Sequence, residues 1–252
     1  MPTASSLAPD TTIAVIGAGR LGTVLAGALR AAGFDVRGPL RRDHAIPESD
    51  VALLCVPDEA IPAAAADAAT AAQSVGHVSG ATGLDAVDFS IHPLQTFTGS
   101  EPPEVLHGIG AAVDARTPAA RSVAEQLVRV LGMTPFEVGD RAGYHAAASV
   151  ASNFVLTVLD AAEGLAIAAG IRNARDVLAP LVGRTVQNWR EHGAANALTG
   201  PIVRGDEATV TRQRTAVAAM GRPELTGLFD ALTTATRALA REQSETAGRG
   251  QP

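Results

Sequence analysis

The segment Gly17-Ala18-Gly19-Arg20-Leu21-Gly22 follows the apolar run Ile13–Ile16 and opens a stretch with helical spacing. Each glycine has a use there. Gly17 permits a tight turn, Gly19 lets the backbone approach a pyrophosphate, and Gly22 lets helix and strand pack closely. The N–H groups around Arg20 and Leu21, at the start of the helix, then face an anion. The strand-to-helix context, more than the glycines themselves, predicts a dinucleotide site.

Where the second strand of such a unit ends, an acidic residue suits the ribose 2′-hydroxyl of NAD and an arginine the 2′-phosphate of NADP. Arg41 and Arg42 hold that position. A guanidinium matches phosphate as a bidentate fork, so NADP is the expected cofactor and NAD the second choice. Asp43 competes for the ribose if the strand ends later, and a solvated turn is the plainer use of the arginine pair. Val56-Pro57-Asp58 closes the third apolar run. The backbone of Val56 and Pro57 is expected to line the cofactor, and Asp58 to cap the next helix.

Proton-handling groups come next. All 20 residues counted as Lys+Arg are arginine, so lysine is excluded both as a Schiff-base former and as a general acid. Two strand ends carry polar residues instead, Ser79-Gly80-Ala81 and His92-Pro93-Leu94-Gln95-Thr96-Phe97. A histidine just past a strand end is placed to pass a proton to a substrate; a loop histidine bonded to backbone is the alternative. Ser79 competes for a catalytic role with simple capping of its own turn. Further on, His145, Ser149, Ser152 and Asn153 fall at i, i+4, i+7 and i+8, which predicts one polar face on an otherwise apolar helix. A substrate cleft, interhelical packing and a dimer seam all explain such a stripe. In Thr199-Gly200-Pro201-Ile202-Val203-Arg204-Gly205-Asp206, Arg204 is a candidate clamp for a carboxylate and Asp206 a helix cap. His44, His77, His107 and His192 have no companions at ligand spacing, so no metal site is expected.

The elements that position these groups follow from periodicity. Short apolar runs alternate with helical segments as far as Val138, the pattern of an α/β, doubly wound, mainly parallel sheet of Rossmann type; beyond it the chain reads as an all-α C-terminal domain. The expected organisation is a dinucleotide-binding domain over 1–138, a helical substrate and dimerisation domain over 139–242, and a disordered tail over 243–252. Thr117 and Pro118 mark a helix start, and Tyr144 to Ala169 reads as one long helix ended by Gly170. The formal charge of −6 and scattered arginines leave no electrostatic footprint for nucleic acid. The lone Cys55 reads as a buried strand residue. Met1 to Asp10 has no leader pattern, and no uninterrupted apolar run approaches membrane-spanning length, so a cytoplasmic protein without a membrane partner is expected.

Over nearly its whole length the chain resembles the bacterial proteins that join a Rossmann-like domain to the domain of unknown function numbered 2520. The resemblance rests on Gly17 to Gly22, Ser79-Gly80-Ala81, His92 to Phe97, the Tyr144-His145 to Asn153 helix, and Thr199 to Asp206. It implies a helical second domain like that of 6-phosphogluconate dehydrogenase relatives, and a homodimer. Ketopantoate reductases are similar in plan, but of their lysine and two asparagines only Asn153 has a counterpart, with His145 and Ser149 at the other places. Prephenate dehydrogenases are similar in pairing a strand-end serine with a His-Pro, here Ser79 and His92. Pyrroline-5-carboxylate reductases share the two-domain plan without a catalytic lysine. The expected activity is hydride transfer between NADPH and a small carbonyl acid, a 2-keto acid such as ketopantoate. His92 or His145 would be proton donor, Asn153 would orient the substrate beside Ser149, and Arg204 would hold the carboxylate. Imine reduction and a non-catalytic NADP sensor are the alternatives.

Overall fold

A computed structural model describes residues 7, 8 and 10–249. The described chain divides into two units after Ser152. In the first, seven strands form one sheet in the order β2-β1-β3-β4-β5-β6-β7. They are β1 (Thr12–Ile16), β2 (Asp35–Leu40), β3 (Ser49–Leu54), β4 (Ala72–His77), β5 (Phe89–Pro93), β6 (Gly110–Ala115) and β7 (Thr134–Phe136). Every neighbouring pair is parallel except β5 with β6. The α/β Rossmann class expected from the alternation is therefore the class observed.

Period-two alternation explains how the sheet buries both faces. Ile13, Val15, Val51 and Leu53 point to one side, where they pack with α1 (Arg20–Ala31) and α3 (Pro118–Val130). Ala14, Ile16, Ala52 and Leu54 point to the other, under α2 (Ile61–Ala68). Thr117 starts α3 as expected, its hydroxyl accepting the Ala120 N–H at 3.1 Å with Pro118 in the first turn. The chain leaves β1 for β2 on one side and crosses to β3 on the other. That change of direction opens a crevice at the carboxyl ends of β1 and β3.

The last helix of the first unit is α4 (Arg141–Ser149), and a five-residue π-helical turn, Val150–Phe154, follows it directly. The second unit then consists of α5 (Val155–Ala168), α6 (Ala174–Ala197), α7 (Glu207–Ala218) and α8 (Pro223–Arg249). Gly193, at φ 74°, kinks α6. Arg175 on α6 pairs with Glu163 on α5 at 2.9 Å.

Several expectations need correction. The division falls after Ser152 instead of 138, because Arg141 and Tyr144 tie α4 to the sheet of the first unit. Asp58 caps nothing: it opens a short 3₁₀ turn that leads into α2 without a side-chain cap. The single long helix expected from Tyr144 is interrupted by the π turn, which advances each residue by less than the ~100° of an α-helix. Only His145 and Ser149 keep α-helical spacing, while the Ser152 hydroxyl donates to the Ala148 carbonyl at 2.7 Å. The segment read as a tail is helical to Arg249, and 250–252 lie outside the described residues. Finally, Arg141–Ala168 is long and apolar enough, by length and composition alone, to cross a membrane. Counting only uninterrupted apolar runs overlooked it, because Ser149, Asn153, Asp160 and Glu163 break the run without outweighing its average.

Candidate functional site

The glycine turn folds as its spacing demands. The Gly17 N–H donates to the Leu40 carbonyl at 2.8 Å, which ties the turn to the end of β2. Gly17 has φ +112°, and a Cβ there would lie 2.2 Å from the Cys55 carbonyl oxygen; one on Gly22 would lie 2.0 Å from the Gly17 carbonyl oxygen. These two glycines are required by the fold itself. Gly19 differs, because a Cβ on it meets nothing within 4 Å. It leaves open space at the start of α1, where no side chain caps the helix and no acidic residue sits in the first turn. The positive end of the helix is thus available to an anion.

That opening belongs to a cleft of about 870 Å³ lined by Gly17, Gly19, Arg41, Arg42, Val56 and Pro57, with Ala60, Ala63 and Ala64 of the α2 side as its apolar wall. β2 ends at Leu40, so both arginines come directly after the strand, and Asp43 is not part of the lining. The Arg41 N–H donates to His44 Nδ1 at 3.3 Å, which folds that loop around the mouth. Arg20 is exposed beside Gly19, and half-buried Leu21 packs toward the core instead. Burial pushes the Cys55 thiol up to about 12, so this cleft-wall cysteine stays protonated.

Further along the same sheet edge, register assembles a polar row. His77, Ser90 and Asp114 are lateral neighbours on β4, β5 and β6, and one pair further on come His92, Ala112 and Phe136. Helix α4 runs along these rows. Arg141 donates to the Ser79 carbonyl at 3.4 Å, to the Ser90 hydroxyl, and to the Asp114 carboxylate at 3.5 Å. One turn later, the Tyr144 hydroxyl lies 2.6 Å from His92 Nδ1. The Tyr144 ring meets the edges of His92 and Phe136, with centroids 5.5 and 5.9 Å apart. The His145 ring is 6.5 Å from that of His92. Gly80 lies against the imidazole so closely that a Cβ would fall 2.8 Å from His92 Cε1.

The electrostatics of this cluster select protonation states. Burial, then the nearby His145 and Arg141, hold His92 down at about 4, so it is neutral at pH 7. His77 is fully buried and also depressed, mainly by burial. Its Nδ1 accepts the Ser79 N–H at 3.1 Å, which leaves Nε2–H to donate to the Gly83 carbonyl at 2.9 Å. Burial raises the Tyr144 phenol, which therefore keeps its proton through neutral pH.

The structure brings His92 and His145 together and adds Tyr144 and Arg141, which the sequence reading did not single out. Ser79 is committed to its turn: its hydroxyl donates to Thr82 Oγ1 at 3.1 Å and accepts the N–H groups of Ala81 and Thr82 at 3.1 and 3.0 Å. Asn153 and Arg204 belong to the second unit, Asn153 exposed in the π turn and Arg204 exposed ahead of α7. Asp206 caps α7, its carboxylate accepting the Thr209 N–H at 3.0 Å.

The family model described as Domain of unknown function (DUF2520) matches residues 109–236, just over half of the chain. No curated protein matches. Among solved structures, a Bacteroides fragilis protein described as a candidate NADP oxidoreductase is similar with a TM-score of 0.79 and 21% identity, over 91% of this chain and 99% of that one. A Thermotoga maritima protein gives 0.77 and 19%, with the same coverages. The 1-pyrroline-5-carboxylate reductase of Streptococcus pyogenes gives 0.59 and 12%, over 92% of this chain and 100% of that one. At these identities the likeness is one of fold.

Proposed function

The chain belongs to the DUF2520 family, and from that premise we propose that it is an NADP-dependent oxidoreductase moving a hydride between NADPH and a small carbonyl acid, a 2-keto acid such as ketopantoate being the first substrate to try. The observation that carries the reading is the cleft at the start of α1. Gly19 leaves the backbone bare to a pyrophosphate, and Arg41 with Arg42 stands where a 2′-phosphate needs a partner. Val56, Pro57 and the alanines of the α2 side give an apolar wall suited to an adenine. When bound, the nicotinamide supplies the hydride. The chain's part is to hold the cofactor and to handle a proton, for which the His92, Tyr144 and His145 cluster at the same sheet edge is suited. Asn153 and Ser149 as substrate-orienting groups, and Arg204 as carboxylate clamp, complete the proposal.

Imine reduction is the second reading. It is favoured by two similar structures named as pyrroline carboxylate reductases, from Streptococcus pyogenes and, with NADP bound, from Plasmodium falciparum. Purified protein with NADPH and a panel of 2-keto acids and cyclic imines, followed at 340 nm, separates the two. NADPH binding without turnover of any member leaves the sensor alternative. Substitution of Asn153 and Arg204 by alanine should raise KM for the active substrate, and unchanged kinetics would remove both from the site.

We also propose a homodimer formed through the helical unit. Helices α5 and α6 expose Leu156 (62%), Leu181 (63%) and Trp189 (60%), together with Val177, Val186 and Ile167. Side chains of this size are the usual anchors of an interface, and an equal surface on a second copy is the partner always present in matching amount.

A further inference from the structure

Resting on the oxidoreductase reading, we propose that Tyr144 gives the proton that completes the reduction and that His92 orients and reprotonates it. Tyr144 is the only tyrosine in the chain. Its hydroxyl lies against His92 near the end of β5, the same edge of the sheet at which the fingerprint turn follows β1. Phe136 on β7 and the His92 ring fix the phenol from two sides, and Arg141, one turn earlier, anchors its helix to β5 and β6.

The neighbouring donors are already committed. Ser79 gives its proton to Thr82, Arg141 gives its N–H groups to Ser79, Ser90 and Asp114, and His77 has both nitrogens bonded. His92 is neutral at pH 7, because protonation waits until about 4. A neutral imidazole is a far weaker acid than a phenol, whose ordinary value is near 10. His145 is exposed and only approaches ring to ring, whereas Tyr144 is held by a 2.6 Å hydrogen bond.

The chemistry balances with one solvent proton. When bound, the reduced nicotinamide would supply a hydride to the carbonyl carbon, whose π electron pair would move onto oxygen. The O–H proton of Tyr144 goes to that oxygen. The phenolate takes the proton from His92 Nδ1 while solvent protonates Nε2, so the imidazole changes tautomer without becoming charged, and proton exchange with solvent at the two nitrogens returns it to the Nδ1–H form before the next turnover. The products are the alcohol and the oxidised nicotinamide. This route requires His92 to rest with its proton on Nδ1, donating to the Tyr144 oxygen and leaving the phenol O–H free.

Two measurements test it. In ¹⁵N NMR of the histidine side chains of the whole protein at pH 7, with His92→Gln used only to assign the signal, Nδ1 should be protonated and Nε2 bare. A bare Nδ1 beside a protonated Nε2 means that the phenol proton is spent on His92, which overturns the proposal without recourse to activity. In kinetics, Tyr144→Phe should lower kcat at least ~100-fold on whichever member of the panel the wild type reduces, with the NADPH Kd within about twofold. Retention of more than about a tenth of kcat, or a change confined to KM, overturns the assignment of Tyr144 and leaves the oxidoreductase reading standing. Absence of turnover in the wild type contradicts that reading, and the proposal falls with it.

Discussion

The two units spend their apolar residues in opposite ways. Among the described residues, 31 of 36 buried apolar side chains lie in the first unit, whereas eleven of fourteen large exposed ones lie in the second. The sheet closes its own core and can therefore hold polar groups at one edge with defined partners. The helices of the second unit keep their largest apolar groups on the outside, as expected for a surface made to meet another surface. Side chains with fixed hydrogen bonds line the sheet edge of the first unit, and exposed apolar side chains dominate the second.

The largest effect that would break this comparison is at the tightest point of the first unit. Gly22→Val places a Cβ within 2.0 Å of the Gly17 carbonyl oxygen, so the melting temperature should collapse by well over 10 °C, a loss of several kcal/mol. A variant as stable as wild type would show that the turn is not packed as described. In the second unit, Leu181→Glu with Trp189→Glu should halve the mass found by sedimentation while lowering the melting temperature much less than Gly22→Val, since each interface anchor contributes about 2 kcal/mol or more to association and little to the fold of the unit itself. A wild type that sediments as a monomer would remove the homodimer.

Acid should expose the difference next. His92 and His77 are neutral in the folded first unit with depressed values, while unfolded histidines titrate near 6.5. Below that pH the unfolded chain binds more protons, so stability is lost progressively as the pH falls below about 6.5, for His92 down to about 4. The melting temperature should drop between pH 7 and pH 5, and His92→Gln should shrink the drop. The smallest effect is expected at Ser79, whose replacement by alanine should cost about 1 kcal/mol for the lost turn bonds and change kcat less than about twofold. A large loss of kcat would return Ser79 to the catalytic group.

Much of the first unit was legible because its signals are local. The fingerprint, the arginines after β2, the Thr117 cap and the strand ends near Ser79 and His92 are each written within a few residues, although β4 stops at His77 and β5 runs through His92 to Pro93. Tyr144 and Arg141 were not, because their partners are 52 and 27 to 62 residues away and are met only through strand register. One hint was available: the sole tyrosine stands on an alanine-rich helix that follows the last strand. The unbroken helix expected from Tyr144 failed for a different reason. Spacing arguments assume an unbroken α-helix, and the π turn at Val150–Phe154 changes the angular step partway along.

The most direct test of the account is a calorimetric titration of the protein with NADPH and with NADH, repeated on Arg41→Ala/Arg42→Ala. The account predicts one saturable site per chain, NADH at least about tenfold weaker, and a double variant that loses most of its preference while still binding NADH, because two charge-assisted forks contribute ~1.5 to 3 kcal/mol each. No saturable binding of either nucleotide would contradict it.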